Sequence, residues 1–248
     1  MNAFQSYLHS FLFSAYPYIC MVVFLVGSLA RFDRDQYTWK TDSSQMLRTG
    51  TLRWGSNLFH VGILFLFFGH FFGLLTPHWV YESFISPHNK QLLAIISGGS
   101  AGFICFIGLT LLIHRRMFDA RIRLTSHRTD LAILIILWVQ LTLGLITLPI
   151  SLSHADGSLM LVLADWAQRV FTFRVGGAEG LIPLALPYKV HLVLGMTIFL
   201  LFPFSRLVHV WSGFATLTYL FRPHQVVRSR RLNLPVGHNH PGQPRARV

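Results

Sequence analysis

Five stretches of this chain are apolar for about twenty residues each, and the polar residues gather between them. They fall near residues 11 to 30, 55 to 76, 91 to 113, 130 to 151 and 188 to 211. A helix of about 20 residues, rising about 1.5 Å per residue, crosses a hydrocarbon layer about 30 Å thick. The pattern predicts an all-α integral membrane protein, a bundle of five transmembrane helices. A sixth run, LMLVLADWAQRVFTF over residues 159 to 173, is too short and too polar to span. In it Leu159, Val162, Leu163, Trp166 and Val170 recur at helical spacing, while Asp165, Gln168 and Arg169 lie elsewhere. That stripe predicts an amphipathic helix lying on the outer membrane surface.

Composition supports the membrane reading: 52% of residues are hydrophobic and only 12% charged, against roughly 25% charged in ordinary soluble domains. The formal net charge of +12 would fit nucleic acid if it were spread over one face. It is instead concentrated in the loop 31 to 54 (Arg31, Arg34, Lys40, Arg48, Arg53), the loop 114 to 129 (Arg115, Arg116, Arg121, Arg123, Arg128) and the C-terminal end, including Arg206 and Arg222. In a five-helix protein these regions share one side, so the positive-inside rule predicts the N-terminus outside and the C-terminus in the cytoplasm. The basic excess is then a topology signal and a docking surface for a cytoplasmic partner or anionic lipid, with no nucleic acid involved. The first apolar run has no charged segment before it and no small-residue cleavage site, so it is expected to be retained. Two units are expected: a membrane domain over residues 1 to 222, and a basic, flexible tail over 223 to 248 in which His238 and His240 are ordinary solvated side chains. Cys20 and Cys105 lie inside apolar runs, and without a Cys-x-x-Cys pair they read as packing residues rather than as ligands.

The chemistry lies in four histidines. His60 and His70 sit in SNLFHVGILFLFFGHFFGLL, and His191 and His209 in YKVHLVLGMTIFLLFPFSRLVHVW. A polar, ionisable side chain at membrane depth is costly and needs a partner. The second and fifth helices run in opposite directions, which pairs His60 with His209 and His70 with His191. Two pairs, stacked one per leaflet, are donors for two haem irons. Along their helices the separations are about 15 Å and about 27 Å. The 18-residue spacing of His191 and His209 puts them on one face of a continuous helix, while His60 and His70 stand roughly 80° apart. Pro203 predicts a kink between the former pair, and Gly69, Gly73 and Gly195 stand beside the ligands, where a flat macrocycle can approach the backbone or neighbouring helices can pack closely. Arg206, three residues before His209 and near the same face, reads either as a haem-propionate partner or as an interfacial arginine. The competing class is a transporter with a histidine proton relay. Against it, the nine acidic residues all fall in loops, at the ends of spans or in the surface helix.

The segments YPYICMVVFLVGSLARFDRDQYTWKTDSSQML, SNLFHVGILFLFFGHFFGLLTPHWVYE, DGSLMLVLADWAQRVFTF and HLVLGMTIFLLFPFSRLVHVW resemble the gamma subunit of respiratory nitrate reductase, a membrane cytochrome b, over about residues 4 to 222. The resemblance implies a quinol-oxidising subunit of the bacterial cytoplasmic membrane with two b-type haems. It would pass electrons to an iron-sulfur beta subunit and a molybdenum-containing alpha subunit that reduces nitrate. It further implies His60 and His209 as ligands of the haem nearer the cytoplasm, and His70 and His191 as ligands of the outer haem. By the same resemblance Lys90 and Gly69 belong to a quinol site beside the outer haem. Read alone, Lys90 is a lysine snorkelling at the interface. The sequence leaves open a related cytochrome b that anchors another reductase or works in reverse as a nitrite oxidoreductase.

Overall fold

The computed structural model describes residues 2–34 and 49–211. The described residues form helices joined by short turns, with no strand among them. Helix α1 (Ala3–Arg34) crosses first, then α2 (Thr49–Leu75), α3 (Pro87–Phe118) and α4 (Arg128–Ser153). The shorter α5 (Ser158–Phe171) follows, and α6 (Leu186–Leu201) completes five spans long and apolar enough to cross a membrane. The tail from residue 223, with His238 and His240, and most of the basic loop after α1 lie outside the described residues.

The spans alternate in direction, as contacts at the two ends show. At the end where α5 lies, His9 Nε2 is 2.7 Å from Ala178 O, Gln168 donates to Leu74 O at 2.9 Å, and Gln91 donates to Ser151 O and His154 O at 2.8 Å each. The two glutamine amides bind carbonyls at or just past the C-terminal ends of α2 and α4, where the helical ladder runs out. At the opposite end Arg206 of the fifth span reaches Asp130 in the first turn of α4.

The α5 stripe folds as its spacing predicts. Leu159, Val162, Leu163, Trp166 and Val170 pack with Phe13, Leu181, Leu184 and Tyr188, while Asp165 and Arg169 pair at 2.8 Å on the other side. Trp166 also donates its indole N–H to Phe13 O at 2.9 Å. Phe13 lies in a single π turn, Phe11–Ala15, and such a bulge disturbs the regular ladder and frees carbonyl oxygen for an outside donor. Gly157, at φ 88, caps α5, and a Cβ there would come 2.7 Å from the Pro87 carbonyl carbon.

Helices α2 and α3 touch almost backbone to backbone. A Cβ on Gly62 would come 2.8 Å from the Cys105 backbone, and one on Gly108 would meet Gly55 O at 2.9 Å and the Phe59 backbone. Cys20 and Cys105 are buried and free, in keeping with packing roles. Large apolar side chains remain exposed along the spans, among them Val61, Leu64, Phe68 and Phe72 of α2. A belt this extensive is a lipid- or partner-facing surface.

The fifth span departs from the expected continuous helix. Its α-helix ends at Leu201, Phe202–Phe204 and Arg206–Val208 form 3-10 turns, and Ser205 between them is extended at φ −118, ψ 175. Pro203 has no N–H and collides with the preceding turn, so the predicted kink is a break. Ser205 restarts the chain by accepting the Leu207 N–H at 3.2 Å. Five uninterrupted turns therefore do not connect His191 to His209.

Candidate functional site

His60 and His70 lie on one unbroken helix, and each returns its Nδ1 to a carbonyl one turn back. Nδ1 of His60 is 2.7 Å from Ser56 O, and Nδ1 of His70 is 2.7 Å from Leu66 O. The opposing pair is held in the same manner: Nδ1 of His209 lies 2.7 Å from Arg206 O, and Nδ1 of His191 lies 3.0 Å from Gln140 O of α4. A carbonyl oxygen only accepts, so all four rings carry their proton on Nδ1. That leaves Nε2 of each imidazole as the acceptor nitrogen, the tautomer that metal-binding histidines adopt, and at His191 the Gln140 amide approaches it at a long 3.4 Å.

The rings face one another in two pairs. The centroids of His60 and His209 are 6.3 Å apart with planes at 77°, and those of His70 and His191 are 6.2 Å apart with planes at 38°. Two imidazoles on opposite sides of one ion, with metal–nitrogen bonds of about 2.0 Å, have ring centres about 6.3 Å apart. His60 and His70 are exposed on a largely apolar helix, an expensive state at membrane depth unless another group covers them. Among the described residues no group of three or more His, Cys, Asp or Glu could hold a bare metal ion. Two opposed histidines instead suit an ion whose remaining positions are filled by a macrocycle.

The surroundings differ from glycine to glycine. Around Gly69 nothing lies within 4 Å of a built Cβ, so the backbone beside His70 borders open space. Gly73 only grazes Met160 at 3.7 Å. Gly195 faces Gln140 Nε2 at 3.1 Å, and that amide donates to His191 O at 3.1 Å. Gly144 of α4, which the sequence did not single out, would place a Cβ 3.0 Å from Cε1 of His191. Gly144 and Gln140 thus seat the His191 ring, and no local pattern marks either one, because their role is set by a neighbouring helix.

Lys90 emerges from the first turn of α3, whose start is capped by Ser86 accepting the Asn89 N–H at 3.3 Å. Its Nζ is buried without a hydrogen-bond partner among the described residues and stands 3.6 Å from the centre of the Tyr81 ring. Tyr81 belongs to the turn His78–Tyr81 and is 8% exposed; burial, and secondarily the charge of Glu82, pushes its phenol up from the ordinary value. An unpartnered buried ammonium calls for an acceptor. Arg206, at the opposite end, donates from Nη1 to Asp130 Oδ2 at 3.2 Å, and Arg116 approaches the same oxygen at 3.5 Å. The Arg206 side chain is therefore engaged by protein and ties the end of the fifth span to α3 and α4.

Two pairs of mutually facing histidines on antiparallel spans narrow the choice of protein considerably, and comparison with known families decides it: residues 9–230 match the nitrate reductase gamma subunit family. The chain belongs to that family. It is 50% identical over 226 residues to the respiratory nitrate reductase 1 gamma chain of Escherichia coli (strain K12), covering 91% of this chain and 100% of that one. It is 52% identical to the respiratory nitrate reductase 2 gamma chain of the same organism, with 91% and 99% covered. The nitrate reductase gamma chain of Bacillus subtilis (strain 168) is 36% identical over 86% of this chain and 95% of its own. Membership makes this chain a subunit of an oxidoreductase complex, and its five spans make it a multi-pass membrane subunit. The family match also runs past residue 222, where the resemblance read from the sequence stopped.

Proposed function

We propose that this chain is the quinol-oxidising cytochrome b subunit of a respiratory nitrate reductase in the bacterial cytoplasmic membrane. In this reading His60 with His209 and His70 with His191 hold two b-type haems. The observation that carries it is the common state of the four imidazoles, each with Nδ1 committed to a carbonyl and each facing its partner at 6.2 or 6.3 Å. Held by these two histidine pairs, haem would supply one-electron transfer, a chemistry that the histidines themselves do not provide.

The chain's own residues prepare the sites. The backbone carbonyls fix the histidine tautomers and orient the rings. Lys90 serves a quinol site on the side of α5, taken as the outer face. There its ammonium donates to a quinol oxygen and favours the negative charge that develops as the proton departs to interfacial water. Gly69, bordered by open space, lets a flat ring approach beside His70. At the other end the basic segments dock the iron-sulfur beta subunit, through which electrons reach the molybdenum-containing alpha subunit.

Haem content and topology test this reading together. Assembled membranes are expected to show reduced b-type spectra and about two haems per chain. A ratio near zero would overturn it in favour of a transporter. Proteases applied to right-side-out membranes are expected to cut within residues 153 to 187; cutting confined to the tail would reverse the orientation.

A further inference from the structure

Arg31 lies in the last turn of α1 and in the sequence counts only as one more charge marking a side of the membrane. Its guanidinium has a more particular place. Nη1 donates to Pro203 O at 2.7 Å and to Ser205 O at 3.0 Å, the two carbonyls flanking the break in the fifth span. Near the membrane a carbonyl that leaves the helical ladder needs another donor, and one nitrogen with two hydrogens supplies both.

The rest of α1 is shaped to the same feature. Gly27, four residues before Arg31, has room for no more than hydrogen, since a Cβ would stand 2.8 Å from Pro203 Cγ. Phe24, three residues earlier still, packs edge-on against Phe199 and Phe202, at ring-centre distances of 5.3 and 4.9 Å. Ser28 accepts the Trp211 indole N–H at 3.3 Å. Positions 24, 27, 28 and 31 recur at helical spacing, so one face of α1 meets the broken segment from before Pro203 to beyond His209. The Ser205 cap and the Arg206–Asp130 pair hold the chain after the break, and among the described residues the Arg31 clasp alone grips the carbonyls of both Pro203 and Ser205 and so sets the direction in which the chain resumes. That direction sets the Arg206 carbonyl, and through it the His209 ring.

We propose that Arg31 is a positioning residue for His209: by holding the Pro203 and Ser205 carbonyls it fixes the broken end of the fifth span and thereby the geometry of the inner haem's second ligand. The inference rests on the reading of His209 as that ligand. The test uses the assembled complex in membranes and compares Arg31→Met, of similar length without donors, with Arg31→Lys, which keeps them. The readouts are haem-to-protein ratio and the low-spin ferric electron paramagnetic resonance signals and midpoint potentials of the two haems, all independent of turnover. Arg31→Met is expected to shift or remove the inner signal, taking the ratio from about two towards about one, with the outer signal unchanged and Arg31→Lys restoring most of the loss. An unaltered inner signal and potential in Arg31→Met would overturn the proposal. So would equal loss of both haems in both variants, which marks a general folding role. His209→Ala, examined alongside, separates the two levels: if it leaves the inner signal intact, the ligand assignment itself has failed.

Discussion

The ammonium of Lys90 stands over the Tyr81 ring, 3.6 Å from its centre, with no hydrogen-bond partner among the described residues. A desolvated cation over an aromatic face gains about 2 kcal/mol. The ring therefore holds the amine in place while leaving its hydrogens available to an incoming oxygen. Lys90→Ala is expected to slow quinol-dependent haem reduction while both haems stay bound and nitrate reduction from an artificial donor to the soluble subunits stays normal. Tyr81→Leu is expected to raise the KM for quinol by up to about thirtyfold, with Tyr81→Phe near wild type, since about 1.4 kcal/mol is a factor of ten. Steady-state kinetics with a soluble quinol analogue checks both, and normal kinetics in Lys90→Ala would remove the site from this end of the bundle.

If the proposed function holds, the ring pairs predict which haem each histidine serves. His70→Ala or His191→Ala is expected to lose one haem, and His60→Ala or His209→Ala the other, each bringing the haem-to-protein ratio from about two to about one. Redox-titrated difference spectra distinguish the two populations. Loss of the same haem from His70→Ala and His209→Ala, with the other intact, would contradict the pairing.

The two pairs also differ in ring orientation, 77° for His60 with His209 and 38° for His70 with His191. Nearly perpendicular axial imidazoles interact with both iron dπ orbitals alike and leave them close in energy, whereas more parallel planes split them. The low-spin ferric signal of the His60–His209 site is expected to be the more anisotropic of two signals. Electron paramagnetic resonance of the oxidised protein checks this, with His70→Ala removing the less anisotropic one.

Much of this was legible from the order of residues. Histidines inside runs such as SNLFHVGILFLFFGH stand out because an ionisable group is costly there, and antiparallel spans leave few ways to pair them. The α5 stripe was equally readable, because a single helix meeting one core shows its period directly. The break at Phe202–Ser205 was not. Proline marks a disturbance, but whether a helix bends or breaks depends on donors elsewhere, and those came from Arg31 about 170 residues away in sequence. The seat of His191 escaped for a related reason: Gly144 and Gln140 act across a helix boundary, where periodicity carries no information. Glycines mislead most, since the same residue serves open space at Gly69 and backbone contact at Gly108.

That contrast among glycines yields a direct test. In a helix interior Gly→Ala is intrinsically favourable by about 0.8–1.0 kcal/mol, so any loss on substitution reports a collision or an occupant. On Gly62 the new methyl would fall 2.6 Å from Cys105 Cβ, and on Gly108 it would meet the Phe59 and Gly55 backbone. Backbone cannot yield as a flexible side-chain tip does, and overpacking of this kind costs about 1–3 kcal/mol or more. Gly62→Ala and Gly108→Ala are accordingly expected to separate α2 from α3, lowering thermal stability and the amount of assembled protein, and, on the proposed reading in which α2 carries a ligand of each haem, weakening both haem sites. Gly69→Ala meets nothing within 4 Å and is expected to leave thermal stability and assembly at wild-type levels. Its effect should fall only on whatever fills the space beside His70, read as a change in quinol-analogue affinity. Thermal melts of purified complexes with parallel inhibitor titrations measure both quantities. A destabilised Gly69→Ala, or a fully stable Gly108→Ala, would show that the space at Gly69 and the close crossing at Gly108 are wrongly assigned.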